Sequence, residues 1–383
     1  MSGQLTADQI VEQARKATGL ERFDSESYRE GLEILLGDLT RVGQNPPVAA
    51  VQGMMIQALS TRLKTTAYLD SRPELLERPI ERPLFVLGIP RTGTTLLNNL
   101  LAADPNRRSA LTWEIDDPVP PPTSATLYTD PRALARIAQH KAQLAADPDS
   151  GKYYRSSPIY PNECIFFMWS DFKALMWESV APLRNYRDWL FDCDMSSAYA
   201  YHKRFLQLLQ ADAPGTWNLK MPSHALWLDA LTRTYPDARL VWTHRDPLTA
   251  TGSFCSLIEN VQLKMTGNGN TEWVAEDMPW QAVKHADRVM DFRDRVGEDR
   301  VIDLHYADLI RDPIPTMRNL YKALGDEFTP EAEAGMLSWL ADNPQGKFGK
   351  HEYKLAHFGL EPNELRSRFE RYLSRYNVEP EGV

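Results

Sequence analysis

Residues 84–101 read LFVLGIPRTGTTLLNNLL, and three kinds of local structure follow one another in this stretch. The apolar run from Leu84 to Leu87 predicts a buried strand. The run breaks at Gly88 into a short polar turn, and the apolar period that begins at Leu96 predicts a helix. The sequence therefore predicts a strand, a loop and a helix in immediate succession.

The loop between this strand and this helix carries groups that bind anions. Gly93 lets a ligand approach the backbone, Thr94 and Thr95 supply hydroxyls, and the first free amides of the helix favour phosphate. Arg91 adds a positive charge. The spacing copies the phosphate loop of nucleotide triphosphatases, except that Thr94 stands where those enzymes carry lysine. We expect the loop to hold phosphate without hydrolysing ATP; the alternative is an ordinary glycine turn that binds nothing.

Composition limits the classes of protein. The 383 residues carry a net charge of −9, and the basic residues do not form runs, so no nucleic-acid partner is expected. Three widely spaced cysteines, Cys164, Cys193 and Cys255, fit a reducing compartment and neither a disulfide framework nor a zinc knuckle. Neither a signal-peptide pattern nor an apolar run of ~20 residues is present, which predicts a cytoplasmic protein without a transmembrane segment.

Strand and helix patterns alternate along most of the chain. Residues 1–80 are predicted to form a helical N-terminal layer, which a capping-box pattern of Thr6 and Gln9 opens. Residues 81–330 are predicted to form an α/β core, and residues 331–383 a C-terminal helical segment with a basic loop. Further strands are predicted at 216–220, 240–243 and 301–304. The pattern predicts a doubly wound, mainly parallel sheet, like that of phosphate-loop proteins, flanked by helices.

Several polar residues follow predicted strands, where open α/β sheets bind ligands. Lys220 and His224 come at the end of one strand, and the location favours a catalytic role for the histidine. Arg245 follows the next strand and Ser253 lies about two helical turns further along, so both are predicted to reach one phosphate. In the C-terminal segment, Lys347 and Lys350 stand on a glycine-containing stretch that could close over a phosphate or remain a solvated loop.

Two glutamates lie in less regular surroundings. Glu114 precedes a proline-rich loop and is either a surface residue or a carboxylate that faces the site. Glu163 belongs to residues 153–201, which are rich in aromatic side chains. Such enrichment is typical of a hydrophobic core and equally of a pocket for an apolar ligand. The sequence leaves both interpretations open.

Together these motifs resemble the sulfotransferases that use 3′-phosphoadenosine 5′-phosphosulfate (PAPS), in particular their bacterial branch. Four signatures occur in the family's order between about residues 83 and 358: Pro90 to Thr95, Lys220 with His224, Arg245 with Ser253, and Gly346 to Lys350. The segment Tyr306 to Leu309 is also similar. The chain departs from the family at Leu96 and lacks a clean copy of the Arg-Lys-Gly triplet of the animal enzymes.

The resemblance implies transfer of a sulfuryl group from PAPS to a hydroxyl of a small acceptor. The aromatic residues and the negative net charge favour an apolar alcohol, phenol or lipid as that acceptor. The resemblance also implies that His224 is the base, with Glu114 and Glu163 as alternatives, and that Arg91 and Lys220 stabilise the leaving phosphate without a metal. The residues implied to bind the donor are Arg91, Thr92, Gly93, Thr94, Thr95, Arg245, Ser253, Lys347 and Lys350. The alternatives are a small-molecule kinase that uses ATP and a protein that binds a nucleotide or an apolar ligand without catalysis.

Overall fold

A five-stranded sheet lies at the centre of the computed structural model, which describes residues 5–42, 48–146, 157–344 and 353–381. Its strands lie in the order β2-β3-β1-β4-β5, and every pairing is parallel. The predicted mainly parallel, doubly wound sheet is confirmed. The strands are β1 Leu84–Gly88, β2 Arg107–Arg108, β3 Thr216–Lys220, β4 Arg239–His244 and β5 Val301–His305.

Helices surround this sheet. In the described residues the α-helices are α1 Ala7–Thr18, α2 Tyr28–Val42, α3 Val48–Ser71, α4 Thr94–Ala102, α5 Thr112–Asp116, α6 Pro131–Ala146, α7 Ile165–Met168, α8 Leu175–Glu178, α9 Arg184–Asp192, α10 Ser196–Leu209, α11 Leu228–Thr234, α12 Pro247–Thr266, α13 Thr271–Val296, α14 Tyr306–Arg311, α15 Pro313–Leu324, α16 Pro330–Asp342, α17 Pro362–Arg368 and α18 Glu370–Arg375. Short 3-10 helices are Pro73–Glu77, Trp169–Asp171, Pro222–Leu226, Glu298–Arg300 and Leu355–Phe358. Most of the strand-to-strand connections therefore run through helices, as parallel strands require.

The central strand β1 is buried along its whole length, so it has an apolar side chain on each face of the sheet. Val86 packs on one face with residues of α4 and α15, whereas Phe85 packs on the other face with residues of α10. In the register of β1 and β3, Val86 pairs with Lys220. Paired residues of neighbouring strands point to the same face, so Lys220 emerges on the α4 face.

The N-terminal helices cover the Phe85 face. Thr6 caps α1 in the predicted capping box, since its hydroxyl accepts from the Gln9 amide and the Gln9 side chain accepts from the Thr6 amide. Buried side chains of α1 to α3 belong to the same hydrophobic core as Phe85. Arg62 of α3 pairs with Asp171 at 2.6 Å and Asp24 at 2.7 Å, which ties α3 to the segment after α7. The boundaries 1–80, 81–330 and 331–383 stay a prediction.

Candidate active site

The loop from Gly88 to α4 lies at the carboxyl edge of the sheet. Leu97 is the first residue whose amide bonds within the helix, to the Gly93 carbonyl, so the amides before it have no partner inside α4. Thr92 fixes the loop, because its hydroxyl donates to the Ile89 carbonyl at 2.8 Å and lies 2.6 Å from the Thr243 hydroxyl on β4. The result is a turn that presents amides without a partner inside α4, a geometry that favours an anion.

Gly93 is required in this turn for two reasons. Its φ is +91°, in the left-handed region that favours glycine. A Cβ atom at this position would also collide with the ring of Tyr306, the first residue of α14. The close neighbour of Gly93 in the structure is therefore Tyr306 of the protein itself, and the predicted approach of a ligand to Gly93 stays a prediction.

Arg91 carries a charge that the described part of the chain does not neutralise. Its Nε donates to the Ser253 hydroxyl at 3.1 Å, and no carboxylate of the described residues lies within ion-pair distance. Burial, and next the neighbouring Arg245 guanidinium, lowers the pKa of Arg91. A half-buried cation beside a second cation is costly unless an anion joins it, so this arrangement favours a phosphate or sulfate ligand.

Arg245, which is predicted to bind the second phosphate, is hydrogen-bonded to Arg91 of the first predicted phosphate position. Its Nη1 donates to the Arg91 carbonyl at 3.0 Å, and its guanidinium lies 4.4 Å from the Tyr306 ring centroid. Its Nε and Nη2 each donate at 2.7 Å to the carboxylate of Glu381. Burial lowers the pKa of Arg245, but the bond to Glu381 and the neighbouring tyrosines and Glu381 charge outweigh it, so the pKa lies above its usual range.

Lys220 and Glu163 form a polar pair that reaches the loop at Thr95. The Lys220 Nζ lies 2.6 Å from the Glu163 Oε1 and 3.4 Å from the Thr95 hydroxyl. Lys220 is almost fully buried, whereas the side chain of Glu163 is 19% exposed. The Cys164 amide donates to the Lys220 carbonyl at 3.0 Å, which fixes Glu163 at the end of β3. A carboxylate that is partly open to solvent beside an anion loop can accept a proton from a bound hydroxyl.

His224 lies elsewhere, in the 3-10 helix after β3. It is fully buried, its Nδ1 lies 2.8 Å from the Tyr199 hydroxyl, and its ring packs edge-on against Phe85 at 4.9 Å. Burial, and next the neighbouring His202, lowers the pKa of His224 well below its usual range. These contacts place the imidazole in the core on the Phe85 face, whereas Lys220 emerges on the opposite face.

A cluster of metal-ligand side chains includes His224. Ligand atoms of Cys164, His202 and His224 all lie within 4.8 Å of one another, inside the core. The His202 Nδ1 lies 2.7 Å from the Tyr235 hydroxyl, and the Nε2 atoms of both histidines have no hydrogen-bond partner in the described residues. Three ligands without a fourth do not complete the tetrahedral set of a structural zinc. The expectation of a metal-free reaction stays a prediction.

Glu114 is also buried, but for a structural reason. It forms a bidentate ion pair with Arg108, and its Oε2 accepts from the Leu111 amide at 3.0 Å at the start of α5. Both carboxylate oxygens are therefore engaged in the protein. Since the carboxylate is not exposed and Arg108 neutralises it, the geometry favours a role in stability over a role as a base.

Most of the aromatic region is core. Phe172 and Trp177 are fully buried and stack at 5.0 Å, and Tyr186 is buried with them. Phe166, three residues after Glu163, is only half-buried. Among the described residues of this region the enrichment therefore indicates mainly packing. Lys347 and Lys350 lie outside the described residues.

Comparisons with known proteins identify the family of this chain. The profile of the Sulfotransferase family matches residues 83–330, and the chain belongs to this family. The matched residues include Arg91 and Arg245 as well as Lys220 and Glu163. The crystal structure of sulfotransferase STF9 from Mycobacterium avium is 40% identical and superposes with a TM-score of 0.93 over 100% of both chains. That of STF1 from Mycobacterium tuberculosis H37Rv is 29% identical, with a TM-score of 0.85 over 97% of this chain and 100% of the other.

A curated relative from Mycobacterium bovis is named omega-hydroxy-beta-dihydromenaquinone-9 sulfotransferase Stf3. It is 26% identical over 261 residues, which are 63% of this chain. The chain spans 62% of the length of that relative. Within the described residues, we find no helix with the length and apolarity that crossing a bilayer needs.

Proposed function

We propose that the protein transfers a sulfuryl group from PAPS to the hydroxyl of a small apolar acceptor, giving a sulfate ester and 3′-phosphoadenosine 5′-phosphate (PAP). One observation carries the proposal: Arg91, half-buried and without an ion-pair partner in the described residues, stands in the loop before α4 and beside a second arginine, Arg245. Two cationic positions side by side fit a ligand with two separate phosphates. Ser253 hydrogen-bonds to Arg91 and would share the 3′-phosphate with Arg245.

Different residues around the loop would perform different parts of the reaction. PAPS supplies the sulfuryl group. Glu163 would accept the proton of the acceptor hydroxyl, because it is the partly exposed carboxylate beside the loop. As the bond from the acceptor oxygen to sulfur forms and the bond from sulfur to the phosphate oxygen breaks, Lys220, Arg91 and the α4 amides would stabilise the charge on the leaving phosphate. We do not assign the base to His224 or Glu114, since both are enclosed in the core.

The acceptor would be an apolar alcohol, phenol or lipid. The relative Stf3 is named for a hydroxylated menaquinone derivative, which supports an apolar acceptor. The net charge of −9 argues against a polyanionic glycan or a nucleic acid as the partner. The thiols of Cys164, Cys193 and Cys255 are free, which supports the proposed cytoplasmic location.

Calorimetry with PAP and AMP tests the donor site. We expect PAP to bind more tightly than AMP, and Arg245→Ala to weaken PAP binding by roughly 10-fold to 150-fold, the loss of a charge-assisted hydrogen bond of about 1.5–3 kcal/mol. AMP binding should change little in that variant, so AMP serves as the matched control. Equal affinities for PAP and AMP would contradict the second phosphate position.

An acceptor screen with sulfur-labelled PAPS tests the reaction itself. Apolar alcohols and phenols should become labelled, and heparan-like chains should not. Magnesium-dependent turnover of ATP, with no transfer from PAPS, would instead establish the kinase alternative.

A further inference from the structure

The last described residues of the chain lie across the proposed 3′-phosphate position. We call residues 377–381 the C-terminal strap. The Glu381 carboxylate accepts from both Nε and Nη2 of Arg245, each at 2.7 Å. The Glu381 amide donates to the Asp246 Oδ2 at 3.1 Å, so the backbone of the strap is fixed as well as the side chain.

This bidentate pair occupies the edge of the guanidinium that recognises phosphate. A planar guanidinium binds a carboxylate or a phosphate through two parallel hydrogen bonds from one edge. In Arg245 the Nη1 already donates to the Arg91 carbonyl, and one face lies against Tyr306. The Nε and Nη2 edge is therefore the one that a phosphate would use, and Glu381 holds it.

We propose that Glu381 is a built-in competitor of the 3′-phosphate of PAPS, so that the C-terminal strap must release Arg245 before the nucleotide binds fully. The inference rests on the proposed function, because it needs a donor with a phosphate at Arg245. The strap lowers the apparent affinity by the fraction of molecules in which Arg245 is free. The strap therefore weakens the binding of nucleotides that have a 3′-phosphate and does not affect the binding of nucleotides that lack one.

Removing the charge of Glu381 tests the competition. In Glu381→Gln, PAP should bind roughly 1.4-fold to fivefold more tightly by calorimetry, the range that a partly exposed ion pair of about 0.2–1 kcal/mol provides. Glu379→Gln is the matched control, because Glu379 is exposed in the same strap and its loss changes the net charge equally. The affinity for AMP should be the same in all three proteins.

The outcomes separate the two proposals. If PAP binds more tightly than AMP but equally well to the wild type and Glu381→Gln, the competition is disproved and the donor site stands. If PAP and AMP bind alike to both proteins, the donor site itself fails. If Glu379→Gln tightens PAP binding as much as Glu381→Gln, the effect is one of net charge and the competition is again disproved.

Hydrogen exchange provides a readout that does not depend on a variant. Saturating PAP should speed amide exchange in residues 377–381 of the wild type, because the strap leaves Asp246 and Arg245, whereas AMP should not. Unchanged protection of the strap in the PAP complex would overturn the inference. In Arg245→Ala, the further change Glu381→Gln should have no effect on PAP affinity, since the competing pair is already gone.

Discussion

Lys220 and His224 are four residues apart, yet the structure places them on opposite faces of the sheet. Lys220 is the last residue of β3 and points to the α4 face, where it meets Glu163 and Thr95. His224 follows in a 3-10 helix and packs under Phe85 on the other face. This difference shows that the end of a strand predicts the edge of the sheet at which a residue lies. The turn after the strand decides on which face of the sheet the side chain lies.

The largest expected effect comes from neutralising Glu163. In Glu163→Gln, turnover should fall by roughly 100-fold to 10,000-fold, the usual contribution of a general base. PAP affinity measured by calorimetry should stay within a few-fold of the wild type, because the proposed phosphate contacts are at Arg91 and Arg245. Steady-state rates with labelled PAPS provide the measurement.

His224→Gln is the counterpart on the other face. It should retain turnover within a few-fold per folded molecule and lose about 1–3 kcal/mol of stability, because it disturbs a buried hydrogen bond to Tyr199. If His224→Gln abolishes turnover while the folded protein still binds PAP, and Glu163→Gln remains active, the histidine is the base and the two faces exchange roles.

Glu114 sharpens the same comparison, since the sequence made it, like Glu163, an alternative to His224 as the base. Glu114→Gln leaves Arg108 buried without its counter-charge, so the free energy of unfolding should fall by about 3–5 kcal/mol. Urea denaturation gives this value, and turnover per folded molecule should remain near that of the wild type. A variant of normal stability and no activity would show that Glu114 faces the substrate.

Much of this architecture follows from sequence patterns. The strand, glycine turn and helix around Gly88 are local, and hydrophobic periodicity together with the glycine specifies them. The alternation of strands and helices also predicts the parallel sheet, and with it the edge where Lys220 and Arg245 meet the loop. These features depend on neighbours in the chain, so one sequence is sufficient to predict them.

Other features depend on distant contacts and could not be predicted. Glu381 reaches Arg245 across 136 residues, and no local pattern marks it. Tyr306 was part of a recognised segment, but its contact with Gly93 arises only when β1 and β5 flank β4. Aromatic enrichment similarly does not distinguish a core from a pocket, because both bury apolar rings; the stacked Phe172 and Trp177 belong to the core.

The smallest effect concerns acid stability on the Phe85 face. Burial lowers the pKa of His202 to about 3, and the pKa of His224 also lies well below its ordinary value of 6.5. Below pH 6.5 the unfolded chain binds a proton at each histidine and the folded protein does not, so stability falls as the pH falls from 6.5 toward 3. Each histidine contributes at most about 1.4 kcal/mol per pH unit in this window.

The change His202→Gln isolates one of these contributions. Between pH 6.5 and pH 5, the free energy of unfolding of the wild type should fall more steeply than that of the variant, by up to about 1.4 kcal/mol per pH unit. The contributions of other groups cancel when the two proteins are compared. One of these groups is Glu178: burial raises its pKa to about 7, so its contribution to stability rises as the pH falls through this window. Parallel stability curves for the two proteins would mean that His202 takes up its proton in the folded state near its ordinary pKa. The Phe85 face would then be open to water and protons. The contrast with the Lys220 face, where Glu163 is partly exposed, would no longer hold.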